Sequence, residues 1–174
     1  MTSMESSGGV PTVRPFAADE WPLYRDLRLR ALRDSPDAYG SILDLEAALS
    51  DEEWTERLGR GVHSASELPI MAECDGTPCG LAWVRLDDNA PDAAHLYQMW
   101  VAADQRRQGV GRALVDAAAA WARVMGARQL ELDVTSNNEA AIRLYEGAGF
   151  VTYGERRALR PGSALEAQGM RRML

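Results

Sequence analysis

The sequence predicts a mixed α/β (α+β) domain built around one central sheet, and three observations carry that expectation. Three successive apolar runs, residues 68–74, 79–86 and 94–101, are separated by short polar turns, as in an antiparallel meander. Apolar residues at helical spacing bracket the meander, with Leu23, Leu27 and Ala31 before it and Leu114, Ala118, Trp121 and Met125 after it. Strand-like alternation then returns at Leu130, Leu132 and Val134, with Glu131 and Asp133 on the opposite face. At 174 residues, with no internal repeat and no interdomain linker, the chain is long enough for one full core. A single domain is expected over residues 10–174.

In chain order, residues 1–9 hold almost no apolar side chains and are expected to form a disordered leader. Residues 10–16 form a first strand, which Pro11 and Pro15 place at a sheet edge. Asp19 is expected to cap a helix with Glu20, Trp21 and Pro22 in its first turn, ending near Asp34-Ser35-Pro36. Arg25, Arg28 and Arg33 fall mostly opposite its apolar stripe and are expected in solvent. Residues 38–42 link to a short helical turn over 43–49. Ser50-Asp51-Glu52-Glu53 is a capping box that opens a helix through Leu58. Tyr39 and Trp54 are expected mainly to pack, with a place beside the substrate as the alternative. Asp75-Gly76 joins the first two meander strands as a hairpin turn, and residues 87–92 are a polar loop. A helix over 111–125 is stopped by Gly126. Ser136-Asn137-Asn138-Glu139 caps a short helix through Glu146, and strands over 150–157 and 168–174 complete the chain.

Composition removes several functions. A net charge of −7 argues against general binding of nucleic acid or anionic membrane, and suits a cationic amine as substrate. No apolar run approaches the ~20 residues of a membrane span and no signal-peptide pattern is present, so a cytoplasmic protein is expected. All 19 basic residues are arginine, which excludes a lysine Schiff base. Cys74 and Cys79, with His63 and His95, complete no metal-ligand pattern; reduced thiols used as small apolar residues are expected, and no metal.

The stretch around which the rest is organised runs from Tyr97 to Leu114: a strand ending Met99-Trp100-Val101, a basic glycine turn, and a helix N-terminus. Such a helix start presents unsatisfied backbone N–H groups, glycines allow close approach, and arginines add charge, a combination suited to a phosphate or pyrophosphate. A Walker loop is excluded because it needs a lysine. The dinucleotide fingerprint is excluded because no third glycine follows Gly111 at the required spacing. The turn instead reads Arg/Gln-x-x-Gly-x-Gly/Ala, as Arg106-Arg107-Gln108-Gly109-Val110-Gly111. Downstream, Asn138 to Phe150 reads Asn-x-x-Ala-x-x-Leu-Tyr-x-x-x-Gly-Phe.

These two motifs, in this order and one helix and one strand apart, resemble the GNAT superfamily of acetyl-CoA-dependent N-acetyltransferases. The likeness runs from about Cys79 to Tyr153. It implies a mixed, mostly antiparallel sheet whose central strands splay apart, with flanking helices and acetyl-CoA as co-substrate. By the same resemblance, backbone at Met99 and Val101 would pair with the pantetheine arm, and Arg106, Arg107, Gln108, Gly109, Val110, Gly111 and Arg112 would hold the pyrophosphate. Asn138 matches a position that contacts the arm, or serves as a helix cap. Tyr145 sits where the family carries the acid that protonates the departing thiolate. The position of the family's usual glutamate base is occupied here by His95, with Glu73, Tyr97, Asp133 or water as alternatives.

The resemblance implies transfer of an acetyl group to a primary amine, a small molecule before a protein, by direct attack through a tetrahedral intermediate. A non-catalytic acyl-CoA-binding module and a protein N-terminal acetyltransferase are the alternatives. Homodimers are frequent in the family.

Overall fold

The computed structural model describes residues 9–174. The leader expected over 1–9 therefore lies, apart from Gly9, outside the described residues. Among the described residues seven strands make one sheet: β1 (Thr12–Pro15), β2 (Glu67–Cys74), β3 (Thr77–Leu86), β4 (Ala93–Val101), β5 (Gln129–Thr135), β6 (Val151–Ala158) and β7 (Glu166–Met173). Their spatial order is β1-β2-β3-β4-β5-β7-β6, antiparallel at every neighbour except β4 and β5. The hairpin turn between β2 and β3 consists of Asp75 and Gly76, at φ 51° and 76°. These left-handed values are what a tight two-residue connection demands.

The helices are α1 (Trp21–Asp34), α2 (Leu43–Ala47), α3 (Asp51–His63), α4 (Val110–Val124) and α5 (Glu139–Gly147). One core lies between the sheet and α4, where Val110, Leu114, Val115 and Ala118 pack on Ala82, Val84, Leu96 and Leu130. On the opposite face, Tyr24, Leu27, Trp54 and Leu58 of α1 and α3 pack on Met71, Leu81, Trp83 and Trp100. Tyr24 meets Trp54 and Trp83 edge-on at 5.8 and 5.6 Å. Trp54 is wholly buried, so it packs as expected.

Local chemistry explains where the elements differ from the sequence reading. β1 is shorter than residues 10–16. Asp19 does not cap α1. A 3-10 turn over Ala18–Glu20 precedes the helix, and it is the Glu20 carboxylate that accepts the Ala17 backbone N–H, at 2.8 Å. α3 keeps its Ser50–Glu53 capping box, with reciprocal bonds of 3.2 and 2.7 Å. It runs past Leu58 to His63, and Gly61 lets this last turn lie close against the sheet: a Cβ there would fall 2.2 Å from the Trp83 ring. The largest correction is Arg28, which is 2% exposed, not solvated. Its guanidinium holds both oxygens of Glu46 at 3.0 and 3.1 Å and lies over the Tyr39 ring, which offsets the cost of burying the charge.

Two features open the sheet. β4 and β5 pair only from Ala93–His95 to Gln129–Glu131 and then part. β4 also carries an extra residue opposite β3, where Gln98 sits at φ 54° and its side chain accepts the Tyr24 hydroxyl at 2.7 Å. The bulge re-aims the end of β4 while β5 stays paired with β7 along its length.

Candidate active site

A crevice of about 260 Å³ lies where β4 and β5 diverge. Its sides are the end of β4 from His95 to Met99, the end of β5 from Leu132 to Thr135, the start of α5, and the segments around Tyr39 and Leu159. Beyond its diverging end, β4 runs through Val101 and one short loop into α4.

In that loop the backbone is shaped for close approach. Gly109, the residue before the helix, is at φ 82°, and nothing lies within 4 Å of where a Cβ would be. Arg107 is also left-handed, at φ 63°, which costs a non-glycine residue roughly 1 kcal/mol and marks a strained turn. No side chain caps α4. The N–H groups of Val110, Gly111 and Arg112 thus have no partner within the helix, and they give its start a positive end. Val110 is 1% exposed and its side chain belongs to the core. Gly111 is needed for packing: a Cβ would come within 2.9 Å of Leu144 on α5.

The arginines are deployed in different ways. Arg106 pairs with Asp34 at the end of α1 and donates from Nε to the Val101 carbonyl at 3.0 Å, so it braces the loop against α1. Arg112 bonds Asp116 and the Gly147 carbonyl, tying α4 to the end of α5. Arg107 is exposed and makes no ion pair among the described residues. Gln108 bonds back to the Asp104 carbonyl at 3.3 Å. The Met99 carbonyl accepts the Tyr39 hydroxyl at 2.9 Å. A carbonyl has two lone pairs, so Met99 and Val101 each keep one acceptor place. Tyr39, expected mainly to pack, therefore also borders the crevice.

Tyr145, on α5, is 7% exposed and lines the crevice, its ring edge-on to Phe150 at 5.7 Å. Burial pushes its phenol well above the ordinary value near 10, so the group stays neutral and able to donate. Asn138 also borders the crevice, and its side chain caps α5 by accepting the Ala141 N–H at 3.2 Å.

The closed end is polar. His95 Nε2 lies 2.8 Å from Asp87 Oδ2 and 3.6 Å from Glu131 Oε2, with the ring stacked beside Tyr97. Asp87 is held below the usual carboxylate range, first by the Asn89 backbone N–H and then by His95. Glu131 is fixed in turn by the Gln129 amide at 2.7 Å and the Tyr153 hydroxyl at 3.0 Å. Asp133 borders the same crevice and pairs with Arg157. Glu73 is not among these groups: it lies on β2, bonded to Arg14. Sequence reasoning missed Asp87 and Glu131 as partners of His95. Asp87 is eight residues away in a turn, and Glu131 reaches His95 only through the parallel β4–β5 pairing.

The model of the Acetyltransferase (GNAT) family matches residues 25–150, well over half of the chain. The chain belongs to the GNAT acetyltransferase family. A mycothiol acetyltransferase of Thermobispora bispora is 31% identical over 131 residues, covering 73% of this chain and 41% of that protein. The chain spans less than half the length of the mycothiol acetyltransferases it matches. Among solved structures, a GNAT acetyltransferase from Streptococcus pneumoniae superposes with a TM-score of 0.79 at 22% identity, over 95% of this chain and 99% of that one. The spermidine N-acetyltransferase of Vibrio cholerae, in complex with CoA and spermine, gives 0.76 at 18% identity, over 94% and 95%. These likenesses establish the GNAT fold: a seven-stranded, mostly antiparallel sheet with flanking helices. Among the described residues, no helix is long and apolar enough to cross a membrane.

The two thiols stand apart from this GNAT site. Cys74 and Cys79 are free and adjacent at the β2–β3 hairpin, and neither borders the crevice.

Proposed function

We propose that this GNAT acetyltransferase moves an acetyl group from acetyl-CoA directly to the primary amine of a small molecule. The observation that carries the proposal is one crevice with a buried neutral phenol on its side and a carboxylate-supported histidine at its closed end, and with the uncapped start of α4 one short loop beyond the end of β4.

Acetyl-CoA supplies an activated acetyl group when bound. The N–H groups of residues 109–112 hold the pyrophosphate, and the exposed Arg107 adds charge. The backbone of Met99 and Val101, with Asn138, aligns the arm. His95 takes the proton of the incoming ammonium. With Nε2 carrying its hydrogen toward Asp87, Nδ1 is the basic nitrogen, and Asp87 steadies the imidazolium that results. Tyr145 donates a hydrogen bond to the departing sulfur. A phenol held above 10 facing a thiolate of ordinary pKa ~8.5 has no drive to give up its proton outright, so its main contribution is to stabilise the charge. No cysteine borders the crevice, and the Thr135 hydroxyl is committed to the Asp37 carbonyl at 2.6 Å. Direct attack by the amine fits that lining better than an acetyl-enzyme does.

The test is release of CoA thiol from acetyl-CoA across polyamines, aminoglycosides, amino acids and short peptides. Release with a small amine is the expected result. Release with peptides alone would move the acceptor to protein α-amines. A thermal shift with acetyl-CoA but no release with any amine would favour a binding module, and absence of both would sink the acetyl-CoA reading.

A further inference from the structure

A second cleft, of about 450 Å³, lies beside the crevice, and Gly40 borders both. It sits between the segment around α2 and the turn joining β6 to β7. One wall is aliphatic, formed by Ile42, Leu45 and Leu49; Ile42 is 45% and Leu45 68% exposed. Isolated exposed apolar residues are ordinary, but here they line one concave surface.

The other wall is arginine-rich. Arg57 and Arg160 line it, and among the described residues Glu46 is the only carboxylate that does. Glu46 is already shared: Arg28 holds both of its oxygens, and Arg57 approaches one at 3.3 Å. Arg28 Nη1 is buried with no hydrogen-bond partner among the described residues. Arg160 gives one N–H to the Tyr39 carbonyl at 2.9 Å and makes no ion pair among the described residues. Arg28 and Arg57 share the Glu46 carboxylate and Arg160 adds a further guanidinium to the cleft wall, a local excess of positive charge in a protein whose net charge is −7. The surroundings of His95 have the opposite character: Asp87 and Glu131 approach its imidazole, and Asp133 on the crevice wall is paired with Arg157. Two segments run from one cavity to the other: Tyr39, Gly40 and Ser41 on one side, Leu159 and Arg160 on the other.

We propose that the second cleft receives the far end of the acceptor, and that this end is a carboxylate. The substrate is then an aminocarboxylate: a primary amine at His95, an aliphatic stretch along Ile42 and Leu45, and a carboxylate between Arg57 and Arg160. Guanidinium groups suit this role because their planar fork matches both carboxylate oxygens. The inference rests on the acetyl-transfer reading of the crevice and adds the substrate class to it.

The experiment compares ω-amino acids with n-alkylamines of matching length, reading CoA thiol release at saturating acetyl-CoA. At the best length the amino acid is expected to have at least a tenfold higher kcat/KM. Arg160→Gln should narrow that ratio about tenfold through KM, the loss expected for one charged contact, and Arg160→Lys should restore part of it. Ile42→Glu, an exposed change that the fold tolerates, should narrow it too by repelling the carboxylate. Equal or better use of the alkylamine at every length overturns the inference, as does a ratio that neither Arg160→Gln nor Ile42→Glu alters. No release with either series also overturns it. Release with other amines, or an acetyl-CoA thermal shift, would in that case leave the acetyl-transfer reading standing.

Discussion

In the proposed site, the groups that meet the pyrophosphate beyond the open end of the crevice are backbone N–H from contiguous residues 109–112. At the closed end they are side chains delivered from β4, β5 and the turn before β4. The first construction needs only glycine at the right places and a helix that begins there. The second needs His95, Asp87 and Glu131 to converge from separate parts of the chain, and it holds only while the β4–β5 pairing holds. A site made of backbone is sensitive to bulk and tolerant of side-chain identity. A site made of side chains is the reverse.

Gly109→Glu gives the largest expected effect. Space around residue 109 is open, so bulk and negative charge there meet the ligand and not the core, while the left-handed φ of 82° costs the variant roughly 1 kcal/mol of stability. Acetyl-CoA affinity should fall by at least about 100-fold, measured by calorimetry, with the fold retained by circular dichroism. Wild-type affinity in this variant would break the account of the open end. Gly111→Glu should lose affinity as well, but with lower stability because of the Leu144 contact.

Next comes Tyr145→Phe, which keeps the ring and removes the donor. kcat should drop about 100-fold while acetyl-CoA affinity stays within about twofold. If affinity collapses and kcat does not, Tyr145 belongs to binding and the division between the two ends needs redrawing. At the closed end, His95→Gln should cost about 30-fold in kcat/KM, and more at low pH where neutral amine is scarce. Asp87→Asn should cost about tenfold by releasing the ring. A pH–rate profile that neither change moves would remove His95 as the base.

The smallest effect is on stability in alkali. Tyr24, Tyr39 and Tyr145 are all pushed up by burial. A raised folded value means that the native state keeps its proton where the unfolded chain loses it. The stabilisation is therefore whole below pH ~10 and declines as pH rises above it, by up to about 1.4 kcal/mol per pH unit for each phenol. Melting temperature should fall steeply above pH 10, and less steeply in Tyr145→Phe. Equal slopes would mean that the crevice admits enough water to solvate the phenolate.

The proposed cofactor end was assigned from the sequence alone. Gly109, Gly111, Asn138 and Tyr145 lie in two short motifs, and turn chemistry and helix starts are local properties that neighbouring residues dictate. The α/β order, the Asp75-Gly76 hairpin and the Ser50 capping box were legible for the same reason. Periodicity placed Arg28 on a helix face but could not show that Glu46, eighteen residues on, would bury it. Nor could it show that Arg106 would brace against Asp34 when the loop formed. The partners of His95, the Gln98 bulge that parts β4 from β5, and the basic cleft beside Gly40 were decided by tertiary structure alone. Each depends on residues distant in the chain meeting at one place, and no local pattern records which strand edges will stay unpaired or which charges will be buried together.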